Sequence, residues 1–197
     1  MRISICGKLL LAGACMGLGL PLWGQQRSPD MQTTSGLEVT VLYNSLLTNV
    51  VHGDNFWMQG GSVQIDGVFW HGWGAAADIT GAHTGNASNS GVGLDLVAAT
   101  FGPRYQWSQA HGRYAFFGQA LAGKAFGFNS VFPGASSATS TANSLALDLG
   151  GGMDLAVAHH LSVRAFEADW LRTQMPNSDI NIQNNVRLGA GIVVRLP

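Results

Sequence analysis

Apolar and polar side chains alternate with a period of two along most of the chain, which is the pattern of β-strands whose two faces meet different surroundings. The last segment shows this most clearly, because Val186, Leu188, Ile192 and Val194 share one parity while Arg187 has the other. The alternation predicts eight strands. They are residues 36–44, 58–70, 72–83, 93–107, 113–126, 143–157, 161–173 and 186–196.

Two of these segments contain irregularities. Pro103 lies inside the fourth segment and cannot donate a ladder hydrogen bond, so a bulge or a strand end is expected there. In the seventh segment Arg164 has the opposite parity to Glu167 and Asp169. If the strands close into a barrel in a membrane, we assign the two carboxylates to the barrel interior. We then expect Arg164 near the membrane interface, where a long side chain extends its charged group towards water.

The connections between the segments alternate in length. Short ones at residues 70–72, 108–112 and 158–160 separate longer ones that are rich in Asn, Ser, Gly and Thr, at residues 44–57, 84–92, 127–142 and 174–181. This rhythm is typical of an up-and-down barrel with periplasmic turns and extracellular loops. An even number of strands returns both ends of the barrel to the periplasmic side.

The composition favours a membrane barrel over other classes. Charged residues make up 11% of the chain, against about 25% in an ordinary globular protein. Yet the mean hydropathy is only +0.15, and no segment after the N-terminus supplies the 18 or more apolar residues of a membrane helix. A chain with few charges and no long apolar run is suited to meeting lipid with every second residue of a strand.

The N-terminus has the features of a secretory signal peptide. Arg2 and Lys8 precede a short apolar stretch at residues 9–20, and small residues follow near Gly24. We expect cleavage around Gly24 and export to the outer membrane of a Gram-negative cell envelope. The predicted organisation is a signal peptide at residues 1–24, a polar leader at 25–35 and a transmembrane β-barrel at 36–197.

Both cysteines, Cys6 and Cys15, lie in the predicted signal peptide. The mature chain is therefore expected to have no disulfide, no thiolate metal site and no cysteine nucleophile. A retained membrane anchor and lipidation at Cys15 are the alternatives; Pro21 interrupts the apolar stretch and so disfavours the anchor. No basic face indicates nucleic-acid binding.

The charged residues of the strands are expected to meet inside the barrel. A sheet in lipid must close on itself, and eight strands enclose an interior that side chains can just fill. Because an unpaired buried charge is costly, carboxylates and guanidinium groups should pair there and plug the lumen. The expected network is Glu38, Asp66, Asp78, Arg104, Asp148, Asp154, Glu167, Asp169, Arg187 and Arg195. Aromatic residues at or near strand ends should form interfacial girdles, namely Trp57, Trp70, Trp73, Tyr105, Trp107, Tyr114 and Trp170.

Several motifs resemble the small eight-stranded outer-membrane barrels of the OmpA/OmpX type, especially the "outer membrane protein β-barrel domain" group. They are FGPRY at 101–105, FGQAL at 117–121, LGGGMD at 149–154, VR at 163–164, ADW at 168–170 and NNVRLGAGIVVR at 184–195. The resemblance covers about residues 36–196 and implies a fold and a location. Members typically end in an aromatic residue that the assembly machinery recognises, whereas this chain ends Arg195-Leu196-Pro197. We therefore expect a weakened assembly signal.

Candidate catalytic groups have simpler explanations. His160 and Ser162, with Glu167 nearby, have the His-x-Ser spacing of lipid A deacylases, but they are expected at a periplasmic turn, away from the outer leaflet. His83 with Asp78 resembles the acid–histidine pairs of barrel proteases without their second acidic pair. The remaining singled-out histidines, His52, His71 and His111, lack metal-ligand spacing. The run Gly150–Gly152 lies within a strand and not before a helix, so it is not a phosphate loop.

The leading hypothesis is a structural or surface-interaction protein with no catalytic, cofactor or metal site. Its expected partners are outer-membrane lipid, the barrel-assembly machinery and a surface ligand bound by the extracellular loops. The alternatives are a narrow porin-like channel, a lipid A-modifying enzyme that uses His160 and Ser162, and a secreted soluble β-protein with its apolar faces turned inward.

Overall fold

The computed structural model describes residues 36–50, 55–89, 91–108, 113–133, 137–177 and 181–196. Eight antiparallel strands pair in sequence order and close through β1 and β8, so the predicted all-β barrel is confirmed. The strands are β1 (Leu37–Thr48), β2 (Phe56–Trp70), β3 (Trp73–Thr84), β4 (Leu94–Ser108), β5 (Tyr114–Phe128), β6 (Ala142–Ala158), β7 (Leu161–Thr173) and β8 (Gln183–Arg195). The predicted signal peptide, its cleavage site, both cysteines and the polar leader lie outside the described residues.

The strands are strongly tilted with respect to the barrel axis. Cross-strand partners followed once around the barrel from Gly118 lead back to β5 at Phe128, ten residues further along the same strand. For eight strands this stagger corresponds to a tilt of about 40°. Each residue along a strand therefore rises about 2.5 Å along the axis.

Short and long connections alternate along the chain as predicted. Residues 71–72, 109–113 and 159–160 make the connections at one end of the barrel, here called the short-turn end. Residues 49–55, 85–93, 129–141 and 174–182 make those at the other, the long-loop end. The β2–β3 turn has positive φ at both His71 (47°) and Gly72 (87°), as a two-residue type I′ turn requires. Within the described residues no helix is long and apolar enough to cross a membrane.

A bulge in β7 resolves its mixed parity. The register against β8 shifts between Arg164 and Glu167, and Ala165 and Phe166 both face outward in succession. Because one extra residue reverses the alternation, Arg164 and Glu167 point into the barrel together. Arg164 is fully buried. The prediction that Arg164 lies near the membrane interface is therefore wrong.

The interior has two parts of different character. Towards the short-turn end it is filled by charged and amide side chains. Towards the long-loop end it is filled mainly by apolar ones, beside a hydrogen-bonded polar group of Thr48, Thr173, Gln183 and Asn185. The outer surface is mostly apolar, with Val41, Ile65, Ile79, Phe101 and Ile192 each about half exposed or more. In the polar part of the barrel, charged side chains lie inside and apolar side chains lie outside, which is the reverse of the arrangement in a soluble protein.

Candidate functional site

The interior charge network brings together most of the residues predicted for it. Nine of the ten are buried, and Arg195 is partly exposed at the short-turn end. Its guanidinium donates to Glu38 from both Nε and Nη2, at 3.0 and 2.6 Å. This pair closes the end of the barrel where β1 begins and β8 ends.

Arg187 is the centre of the network. Its Nη1 lies 2.7 Å from Asp78 Oδ2, and its Nη2 lies 3.0 Å from Asp148 Oδ2 and 2.9 Å from Asp169 Oδ2. Glu167 Oε1 follows at 3.2 Å. One guanidinium with five donors therefore holds four carboxylates that come from β3, β6 and β7.

Two further arginines form a layer nearer the short-turn end. Arg164 donates from Nε to Asp154 at 2.8 Å and from Nη1 to Glu167 at 2.5 Å. Arg104 lies 3.4 Å from Asp66 and 3.5 Å from Asp154. Both guanidinium carbons sit over the ring of Phe117, at 3.7 Å for Arg104 and 4.2 Å for Arg164, which is cation–π geometry.

Shared partners join these layers into one network. Glu167 binds both Arg164 and Arg187, so it connects the two centres. Gln64 accepts from Arg104 at 3.1 Å and from Arg164 at 2.6 Å, and donates to Gln119 at 2.8 Å. The prediction that arginines and carboxylates pair and plug the lumen is confirmed.

Interior glycines provide the space that these side chains occupy. A Cβ at Gly150 would lie 1.9 Å from Asp169 Oδ1, and one at Gly152 would lie 2.9 Å from the Phe117 ring. The glycine run of β6 thus belongs to a strand, where its inward-facing members make room for the charge network and an aromatic ring.

A separate layer of apolar side chains closes the long-loop end of the interior. Its members are apolar and nearly inaccessible: Leu46, Val50, Met58, Ala82, Ala87, Leu94, Leu96, Ala98, Ala125, Phe132, Ala146, Leu171 and Met175. The described part of each of the four long loops contributes one of them, namely Val50, Ala87, Phe132 and Met175. Sequence reasoning missed this layer, which we call the apolar cap.

Hydrogen bonds hold two of the loop residues in the cap. Gln183 accepts from the backbone N–H of Met175 and donates to its carbonyl, both at 2.8 Å. Phe132 and Thr139 form two backbone hydrogen bonds with each other, at 2.8 and 2.9 Å. The Gln183 side chain therefore ties the β7–β8 loop to β8, and the Phe132–Thr139 pair braces the β5–β6 loop internally.

Aromatic residues form a continuous row on the outer surface at the short-turn end. The ring centroids are 5.0 Å apart for Trp73 and Tyr105, 6.0 Å for Tyr105 and Trp107, 5.9 Å for Trp107 and Phe116, and 6.1 Å for Tyr114 and Phe116. Exposed aromatics at one level are the mark of a membrane interface. Of the other predicted girdle residues, Trp70 is exposed at this end and Trp57 at the long-loop end.

The structure does not assemble the candidate His160–Ser162 site. His160 is exposed in the β6–β7 turn, where its ring lies 4.7 Å from that of His159. Ser162 is buried in the interior, and Glu167 is bound by Arg164 and Arg187. His160 thus lies in an exposed turn, whereas Ser162 and Glu167 lie in the interior.

His83 has an acidic partner, but it is not Asp78. Asp78 points inward to Arg187, whereas His83 Nδ1 lies 2.5 Å from Asp95 Oδ1 on the outer surface. Asn129 also donates to Asp95. The residues facing each other in an antiparallel pair share a face, and His83 is directly opposite Asp95. The pair could have been predicted from the sequence if the register between β3 and β4 had been known.

The other singled-out histidines form no site in the part of the chain that the structure describes. His71 lies in the β2–β3 turn, and His52 and His111 fall outside the described residues. Among the residues that are described, no three His, Cys, Asp or Glu side chains are grouped as metal ligands would be.

Comparisons with known proteins match this geometry. No protein-family model and no curated protein matches the chain. Neisserial surface protein A superposes with a TM-score of 0.63 at 14% identity, over 82% of this chain and 98% of that one. Ail of Yersinia pestis, in complex with the heparin analogue sucrose octasulfate, gives 0.53 at 15% identity, over 81% and 99%. The chain has the fold of the small eight-stranded outer-membrane β-barrels.

Proposed function

We propose that the protein is an integral outer-membrane barrel with a closed interior, which anchors four surface loops for contact with other molecules. The observation that carries this proposal is the placement of charge. Arg104, Arg164 and Arg187 are at most 1% exposed, while Phe69, Phe101 and Tyr43 on the outside are more than 60% exposed. Such a distribution is stable when the outside meets lipid and unfavourable when it meets water.

The two-layered interior supports an anchoring role and gives no support to a channel. A narrow pore would need a continuous water path, but the charge network fills one part of the lumen and the apolar cap fills the other. The orientation follows from the loops, since long loops face outward and short turns face the periplasm in such barrels. Outer-membrane lipid and the barrel-assembly machinery are then necessary partners.

The chemistry of the loops limits the class of surface ligand. Residues 49–55, 85–93, 129–141 and 174–182 contain no Lys and no Arg, and are rich in Asn, Ser, Thr and Gly. Polyanions are bound mainly by clustered basic side chains. We therefore propose an uncharged polar ligand, such as a neutral glycan or a polar protein surface, and not a sulfated ligand such as the sucrose octasulfate in the complex with Ail.

Heat-modifiable gel migration and membrane fractionation test the location. The protein should run as a compact species without boiling and as a slower one after boiling, and should sediment with the outer membrane. A protein found only in the soluble periplasm would contradict the proposal. In planar bilayers the inserted barrel should stay silent; stepwise conductance from the pure protein would show that the lumen is open.

A further inference from the structure

A groove crosses the outer surface over β3, β4 and β5. It has a volume of about 510 Å³. Cross-strand partners Ala77, Phe101 and Ala122 form one row of it, and Ile79, Ala99 and Lys124 form the next. Small alanine side chains make the floor, and Ile79, Phe101 and Phe126 make the walls. The groove is therefore apolar along its length, with a single cationic group, that of Lys124.

Lys124 is unusual because lysine is rare in this chain and because of where the residue lies on its strand. It is the chain's only lysine apart from Lys8. On β5 its neighbours of the same parity are Ala120, Ala122, Phe126 and Phe128, so it faces outward with the apolar side chains. No ion pair joins it to any residue that the structure describes. A cation on the apolar face of a strand is thus left available for an external anion.

The height of Lys124 can be worked out along its own strand. Tyr114, in the aromatic row at the short-turn end, begins β5 and lies ten residues before Lys124. At about 3.3 Å per residue and a tilt of about 40°, the two residues are about 25 Å apart along the axis. The apolar band of an outer-membrane barrel is also about 25 Å tall. Lys124 therefore lies at the far boundary of that band, where outer-leaflet head groups begin.

This boundary position explains why a lysine is tolerated there. A lysine on the lipid face costs about 2–4 kcal/mol at the bilayer midplane but only about 0–1 kcal/mol near the interface. The nearby anion on the same outer surface, Asp95, contacts His83 and accepts from Asn129. The ammonium group of Lys124 is the cation that remains for a ligand at the top of the groove.

We propose that this groove and Lys124 form a specific site for one phosphorylated lipid of the outer leaflet, such as lipid A. An acyl chain lies over Ala77, Ala99 and Ala122, and a head-group phosphate accepts hydrogen bonds from the Lys124 ammonium. Charge-assisted bonds to phosphate are among the stronger polar contacts. The site rests on the proposed location of the protein in the outer membrane and adds a defined ligand to it.

Native mass spectrometry of the folded protein in detergent micelles tests the site, with bisphosphorylated lipid A and its dephosphorylated form as probes. The variant Lys124→Gln removes the charge, and Ala99→Leu fills the groove. Matched controls are Arg172→Gln, which removes a charge near the long-loop end of β7, and Ala190→Leu, which enlarges an exposed alanine of β8. Heat-modifiable migration confirms that each variant is folded.

The wild type should retain one bisphosphorylated lipid A more tightly than the rest, and Lys124→Gln should weaken that binding about five- to tenfold. Ala99→Leu should weaken both probes, whereas Lys124→Gln should hardly affect the dephosphorylated one. Retention of lipid A by both variants at the level of the two controls would overturn the site. Failure of the wild-type protein to insert into vesicles at all would instead overturn the proposed location.

Discussion

Replacing Arg187 with methionine tests whether the interior is held by its charge network. The substitution Arg187→Met keeps most of the length and apolar stem but removes the guanidinium. Asp78, Asp148 and Asp169 then lose the arginine that lies 2.7 to 3.0 Å from them, while Glu167 keeps Arg164. Three carboxylates thus remain buried without their cation.

The expected loss of folding stability can be estimated from other proteins in which one partner of a buried ion pair was removed. Removing one partner of a buried ion pair costs about 3–5 kcal/mol, because the other charge stays buried and unpaired. With three carboxylates affected, we expect the upper end of this range, about 5 kcal/mol. The free energy of unfolding is measured by denaturant titration in lipid vesicles, with the gel shift of the folded barrel as readout. The control Arg172→Met, on a partly exposed residue, should change it by less than about 0.5 kcal/mol.

A compensating variant separates charge from packing. Combining Arg187→Met with Asp78→Asn, Asp148→Asn and Asp169→Asn removes the stranded charges and should restore at least half of the lost stability. A loss below about 1 kcal/mol in Arg187→Met would refute the reasoning. If the combined variant recovered nothing, the role of Arg187 would be one of shape, and the ionic account would fail.

Three further outcomes are expected from other features. Phe132→Ala should cost about 3–5 kcal/mol and speed amide hydrogen exchange in the β5–β6 loop; unchanged exchange would show that the apolar cap does not fix this loop. Gly150→Val should lower stability far more than Ala190→Val on the outer surface, because its Cβ would meet Asp169; equal stabilities would contradict the crowding. Ser162→Ala should leave the acylation of lipid A unchanged in cells, and a change would revive the enzyme hypothesis.

The strand pattern could be predicted because lipid and a polar interior make the two faces of each strand chemically different. The seventh strand was predicted at residues 161–173 and is found at Leu161–Thr173. The first was predicted to end at residue 44 but continues to Thr48. Leu46 faces the apolar cap there and Leu47 faces outward, while Thr48 points inward and Ser45 outward. Both faces therefore mix apolar and polar side chains, and the alternation disappears. The cap was missed for the same reason.

Two other features depend on information that alternation does not contain. The inward position of Arg164 follows from a bulge, and one inserted residue leaves no mark in a sequence beyond the conflict of parity itself. The pairing of His83 with Asp95 depends on the strand register, which is set by where the β3–β4 loop begins and ends. The predicted loop at residues 84–92 differs from the observed 85–93, and that error places Asp95 away from His83.

The apolar cap also determines how the surface of this barrel could be redesigned. Val50, Ala87, Phe132 and Met175 each hold one long loop to the mouth of the barrel. Every loop is therefore fixed two to four residues after the strand that precedes it, and its longer arc follows that point. A foreign peptide grafted into that arc should leave the barrel closed, whereas exchange of a whole loop would remove a side chain that fills the mouth of the barrel. Antigen display on this scaffold should accordingly use the four longer arcs that follow the fixed residues and leave those residues in place.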